Sequence, residues 1–314
     1  MDIQNILTEI EKLDGEVYER LNPRRNAMKD FFNISKKISM AALPLALGSM
    51  FQKAYGQTTA PSPVVNALNL ALGLEYMEYE LYNYAVTNAS TMLPANVVPI
   101  ITAIRNHEKS HIDLLVQTIT ALNGTPRIAI PFAEIDTRRG TTLPAFGATI
   151  AINYPIFLKL AMVFEDLGVR AYKGQFEFLR TNSAVLSTAA QIHTVEARHS
   201  AQIRQLITTY PVTDPANLAF LRPWVGYRRN AAGVIDPLTA NDSGTAGLSA
   251  VYENKNETNT SQAGFELIGL NGIKEITNVV ASESFDEPMP RASVITYANG
   301  FIKNGTTTSI YRFT

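Results

Sequence analysis

Four long segments of this chain repeat apolar residues every three to four positions, and a glutamate breaks each repeat near its middle. That spacing marks a helix with one buried face. The first stripe is Leu68, Leu72, Glu75, Tyr79, Tyr82, Val86; the second is Ile101, Ile104, Glu108, His111, Leu115, Leu122. The third is Tyr154, Leu158, Ala161, Glu165, Gly168, Tyr172, Leu179; the fourth is Val185, Ala189, Ile192, Glu196, His199, Ile203, Leu206, Tyr210. An uncompensated buried charge costs on the order of several kcal/mol. Any fold for this chain must therefore answer what the four glutamates face.

Local signals set the ends of the segments. Ser62-Pro63 starts the first, which runs to about Thr87. The second runs from about Pro94 to Leu122 and is stopped by Asn123-Gly124. The third runs from about Tyr154 to Arg180, and the fourth from about Ala184 to Thr209 after the turn Thr181-Asn182-Ser183. Short loops make each consecutive pair antiparallel. The connection from Thr125 to about Ala151 is long enough to run the length of the bundle. Two hairpins joined by a long crossover is the ferritin-like four-helix plan. The midpoint of Glu75 and Glu108 falls in the first loop, and that of Glu165 and Glu196 falls at Arg180-Thr181. The four carboxylates therefore share one depth.

His111 follows Glu108 by three residues and His199 follows Glu196 by three, so each pair shares a helix face. No lysine or arginine lies on the stripes. Two divalent ions would balance four carboxylates, and the histidines would add a nitrogen to each ion. Two single glutamates plus two Glu-x-x-His pairs are the ligand set of di-iron and di-manganese bundles. The predicted metal ligands are thus Glu75, Glu108, His111, Glu165, Glu196 and His199. The chain has no cysteine, so thiolate sites and disulfides are excluded. His and carboxylate ligands suit iron, manganese or zinc, and do not separate iron from manganese.

Other residues stand near these six. Glu78, one turn from Glu75, is placed to turn inward, and Glu80 toward solvent. His107 and His193 flank the motifs and read as supports of the ligands or of the fold rather than as ligands. Tyr82 and Tyr172 follow Glu75 and Glu165 by seven residues each. They are open to hydrogen-bonding a ligand, relaying an electron, or packing the core.

Residues 1–60 read as an amphipathic arm followed by an export signal. Ile3, Ile6, Ile10, Leu13 and Val17 form an apolar face. Arg24-Arg25, Lys36-Lys37, the apolar run Ile38 to Phe51 and Ala54-Tyr55-Gly56 follow in the order of a signal. The paired arginines resemble a twin-arginine signal, with Asn26 and Ala27 where an aromatic usually stands. The apolar run is short for a spanning helix, which needs about 20 residues. Residues 61–212 make the bundle. Residues 213–314 read as an extension of loop, short strand and helix that caps the bundle. In it, Trp224 packs back on the bundle, 241–264 is loop, Phe265–Leu270 and Ile273–Val280 are strands or a hairpin, and Asp286-Glu287-Pro288 opens a helix.

The runs Leu74-Glu75-Tyr76-Met77-Glu78-Tyr79-Glu80-Leu81-Tyr82, Glu108-Lys109-Ser110-His111, Phe164-Glu165-Asp166-Leu167-Gly168-Val169-Arg170-Ala171-Tyr172 and Val195-Glu196-Ala197-Arg198-His199 resemble bacterial ferritin-like proteins related to plant desiccation-related proteins. Ser284-Phe285-Asp286-Glu287-Pro288 is similar to the C-terminal segment of that group. The resemblance covers about residues 62–210. It implies a di-iron or di-manganese centre, and members often carry export signals. It does not choose among iron stores, peroxidases, manganese catalases and oxygenases.

The expectation is a redox protein of the cell envelope or periplasm that meets peroxide or oxygen. The alternatives are a stress or storage protein that binds metal without turnover, and a bundle that metal merely holds together. A net charge of −1 gives no footprint for nucleic acid, and membrane contact is expected only through the export signal. A homo-oligomer is left open.

Overall fold

Periodicity, caps and stops set four long helices. The computed structural model describes residues 62–87, 92–137, 154–209, 227–229, 235–240, 259–262, 264–270, 276–303 and 309–314. The arm and export signal of 1–60, Trp224, residues 138–153 of the crossover and most of 241–264 lie outside the described residues. Helix α1 spans Ser62–Thr87, α2 Val98–Ala121, α3 Tyr154–Leu179 and α4 Ser183–Thr209. Among the described residues, no helix is long and apolar enough to cross a membrane.

The prolines explain the one clearly shifted boundary among these four helices. Pro94 opens a turn whose carbonyl accepts from the N–H groups of Val97 and Val98, and Pro99 then sits in the first helical turn, where its missing N–H costs nothing. At the other end of α2, Asn123 takes a left-handed φ of 57°. Asn123 N–H donates to Thr120 O and Gly124 N–H to Ile119 O, both at 2.9 Å. These are the two bonds of a Schellman stop. Helix α4 is capped by Asn182, whose Oδ1 accepts from Val185 N–H at 3.0 Å.

Helix α1 packs on α2 and α3, and α3 packs on α4; α2 and α4 are more loosely packed neighbours. After α2 the chain follows α1. Asn69 binds the backbone at both Thr125 and Arg127, and further along Glu80 Oε2 accepts from Phe132 N–H at 3.2 Å. Asn69 and Glu80 are about 16 Å apart along α1 at 1.5 Å per residue. The described part of the crossover thus travels along the bundle. Glu80, expected in solvent, instead caps a 3-10 turn at Phe132–Glu134.

The C-terminal region contributes short pieces. Strands β1 (Tyr227–Arg229) and β2 (Ile235–Ala240) pair antiparallel, as do β3 (Ser261–Gln262) and β4 (Phe265–Glu266). Residues 278–280, expected as strand, belong to helix α5 (Asn278–Glu283): Thr277 Oγ1 accepts from Val280 N–H as its cap, and the helix turns Ala281 into the buried interior. Helix α6 (Arg291–Asn299) begins after Pro290, later than Asp286-Glu287-Pro288 suggests. The delay has a cause: that backbone is bound across α3. Arg170 Nε donates to Glu287 O and Met289 N–H to Arg170 O, each at 3.0 Å, and the Lys173 ammonium reaches Asp286 O.

Met289, Val294, Tyr297, Ala298, Phe301 and Ile302 join the same core as the bundle helices. Phe301 meets Phe164 edge-on at 5.0 Å, and Ile302 bridges Ile135 of the crossover. Every residue of α3 from Leu160 to Tyr172 is consequently buried. At about 1.5–3 kcal/mol per large apolar side chain, these contacts make the C-terminal segment part of the bundle's core.

Candidate metal centre

The six predicted ligands meet inside the bundle. Glu75 comes from α1, Glu108 and His111 from α2, Glu165 from α3, and Glu196 and His199 from α4. The four glutamates are fully buried and the two histidines nearly so. Two tyrosines fix the level of α1 against α3. Tyr172 Oη donates to Glu75 Oε1 at 2.5 Å, and Tyr82 Oη donates to Glu165 Oε1. The two pairs of residue numbers have the same sum, as antiparallel helices in register require. Each helix thus lends its tyrosine to the other's glutamate.

His111 Nδ1 lies 3.0 Å from Glu108 Oε2, 3.0 Å from Glu196 Oε1 and 3.1 Å from Glu75 Oε2. His199 Nδ1 lies 2.8 Å from Glu108 Oε1 and 3.5 Å from Glu165 Oε2. Two ligand sets result, each with donor atoms within 4.8 Å of one another: Glu75, Glu108, His111, Glu196, and Glu108, Glu165, Glu196, His199. Glu108 and Glu196 belong to both. Glu108 Oε1, Glu165 Oε2, both Glu196 oxygens and His199 Nδ1 are buried without a hydrogen-bond partner among the described residues. Buried polar atoms are normally paired. Oxygen and imidazole atoms that crowd together yet remain unbonded fit a divalent cation between them, and this donor set suits one.

The electrostatics agree. Burial pushes Glu75 up to about 7, against the pull of His111. Burial and the neighbouring carboxylates Glu108 and Glu75 hold Glu196 well above the usual range, and burial raises Glu165 as well. Burial also works against ionisation of Glu108, but His111 and His199 outweigh it and bring Glu108 down to about 2. The histidines rise in spite of their burial: Glu75 and its neighbours lift His111 well up, and Glu165 and Glu108 lift His199 to about 11. Without a cation, this interior can be neutralised only by protons.

Residues 64–209 match the family model described as the ferritin-like domain. These residues have the ferritin-like four-helix fold. No curated protein matches the chain significantly.

Further groups surround the centre of the ferritin-like domain. Glu78 turns inward and is buried, with Oε2 unbonded; burial and the charge of Glu196 raise it well above the usual range. Gly168 makes room for it. A Cβ there would stand 3.0 Å from Glu78 Oε1 and 3.1 Å from Glu196 Oε2. His107 is exposed, yet its Nδ1 lies 2.9 Å from His199 Nε2 and the rings stack. It therefore joins the centre to solvent on the α2 side. His193 is not brought to the cluster. Its Nδ1 donates to Val169 O at 3.0 Å and its ring meets Phe176 edge-on, so it serves α3–α4 packing.

One buried polar group escaped the sequence reading. Asp166 accepts from Ser200 Oγ at 2.5 Å and pairs with the Arg204 guanidinium, all three being buried. The i,i+4 spacing of Ser200 and Arg204 is the signal that was available. Two buried arginines therefore do lie in the bundle, Arg204 beside Asp166 and Arg170 against Glu287 O. The charges that act most on the cluster are those of its own carboxylates and histidines.

Proposed function

We propose that the ferritin-like domain holds two divalent ions, iron or manganese, and works as a redox protein on peroxide or oxygen. The observation that carries this reading is the sharing of Glu108 and Glu196 by both ligand sets. Glu75 with His111 would complete one ion's set, and Glu165 with His199 the other's. Such a pair, when bound, supplies two-electron chemistry and open positions for a small oxidant. The chain supplies the rest. Tyr172 and Tyr82 orient Glu75 and Glu165. The apolar stripes above and below keep water from the cluster. His107, on the surface and bonded to His199, offers a path for protons. Export to the cell envelope and a part in stress protection belong to the same proposal; their support is the basic, apolar and small-residue order of 1–60 and the resemblance to desiccation-related proteins.

The test is metal analysis of protein purified in air, followed by addition of hydrogen peroxide. Two ions per chain and catalytic consumption of peroxide or oxygen are expected. Two ions with no consumption of either would overturn the redox reading in favour of a metal-holding protein. Undiminished metal in a Glu108→Ala, Glu196→Ala double variant would overturn the centre itself.

A further inference from the structure

A second polar site lies apart from the cluster and does not depend on the metal reading. Between the start of α1, the chain after α2 and the C-terminal segment is a cavity of about 530 Å³. Arg127, Arg291 and Arg312 line it, one from each of three separate stretches of chain, and no Asp, Glu or Lys side chain does.

Arg127 is the best defined. Its guanidinium donates to Tyr311 O at 2.6 Å and lies 4.3 Å over the Phe313 ring, while its buried Nε has no partner. Room for it comes from Gly73, where a Cβ would stand 2.1 Å from Arg127 Nη1 and 2.5 Å from Phe313 Cε1. Arg291 donates to Asn66 O at 3.0 Å and to Thr314 O at 2.8 Å. Arg127 is thus held by a backbone carbonyl and has no carboxylate partner in an ion pair among the described residues, whereas Arg291 is already engaged by an oxygen of Thr314, the last residue of the sequence. Burial lowers Arg127 to about 10, the mark of a cation lacking its counter-charge.

A guanidinium fork matches a carboxylate or phosphate group. Leu70, Ile128, Ile310 and Phe313 supply apolar walls to the same cavity. Its volume falls in the range of about 300–1,000 Å³ common for small-molecule sites. We propose that this cavity binds a small organic anion, with its carboxylate or phosphate on Arg127 and Arg312 and its apolar part against Leu70, Ile128 and Phe313.

Calorimetric titration of the metal-loaded full chain with hexanoate, hexyl phosphate and inorganic phosphate, at low salt, tests this. Saturable binding of one hexanoate or hexyl phosphate per chain is expected, and the tighter of the two names the head group. Arg127→Met should weaken it tenfold or more while metal content stays at the wild-type value. Arg312→Ala, checked for fold by circular dichroism, should weaken it too, and serves if Arg127→Met does not fold. Absence of saturable binding by all three probes, or equal affinity in the correctly folded variants, would overturn the proposal. Inorganic phosphate binding as tightly as hexyl phosphate would overturn its apolar half.

Discussion

Glu108→Gln and Glu165→Gln remove the same charge from equally buried positions, yet they should empty the centre to different extents. Both side chains are 0 % exposed, and the replacement is isosteric. Glu165 belongs to one ligand set and Glu108 to both. A group that merely orients a metal ligand is worth about 10–100-fold in affinity. Loss of a ligand should therefore cost at least about 1.4–2.7 kcal/mol for each ion it serves. At Glu165 that cost falls on one ion; at Glu108 it falls on both. Glu108 is also the carboxylate that both imidazoles hold down to about 2, so no protonated form of it competes at neutral pH. After dialysis against a weak chelator, elemental analysis should find about two ions per wild-type chain, about one in Glu165→Gln and well under one in Glu108→Gln. Equal losses in the two variants would refute the shared-ligand geometry even if both lose metal.

Three further outcomes follow from the same geometry. Tyr172→Phe removes the O–H that orients Glu75, so chelator competition should show one ion released about 10–100-fold more readily while the fold persists; unchanged retention would make the tyrosine a packing residue. For the pH dependence, the folded protein binds more protons than the unfolded chain between 4.5 and about 7 at Glu75, and between 6.5 and about 11 at His199. The stability of metal-free protein should therefore fall as pH rises from 5.5 to 8.5, while metal-loaded protein changes less; a metal-free melting temperature that rises over that range would contradict it. Arg204→Met leaves Asp166 buried without its cation, and urea titration should show a loss of about 3–5 kcal/mol with metal content largely kept.

Much of the bundle was legible because its signals are local. Caps and stops act within a few residues: Asn182 caps α4 and Asn123-Gly124 ends α2 where their chemistry places them. The heights of the four glutamates were readable too, since antiparallel hairpins bring residues equidistant from a turn to one level. The tyrosines were not decidable from spacing. Seven residues put Tyr82 on the face of Glu75, but its hydroxyl goes to Glu165 on another helix.

The sequence by itself determined four amphipathic helices, their order, and a carboxylate and imidazole layer that a bundle could not bury without compensation. Only the tertiary structure decided which carboxylates are shared, because sharing depends on distances between helices rather than along them. It also set Glu80 under the crossover and laid residues 286–302 over α3. That last contact explains why α3 is buried around its whole girth from Leu160 to Tyr172 though its glutamate and tyrosine stripe occupies one face. A helix's pattern records that it has buried sides, but the partner that covers each side is settled only when distant segments pack.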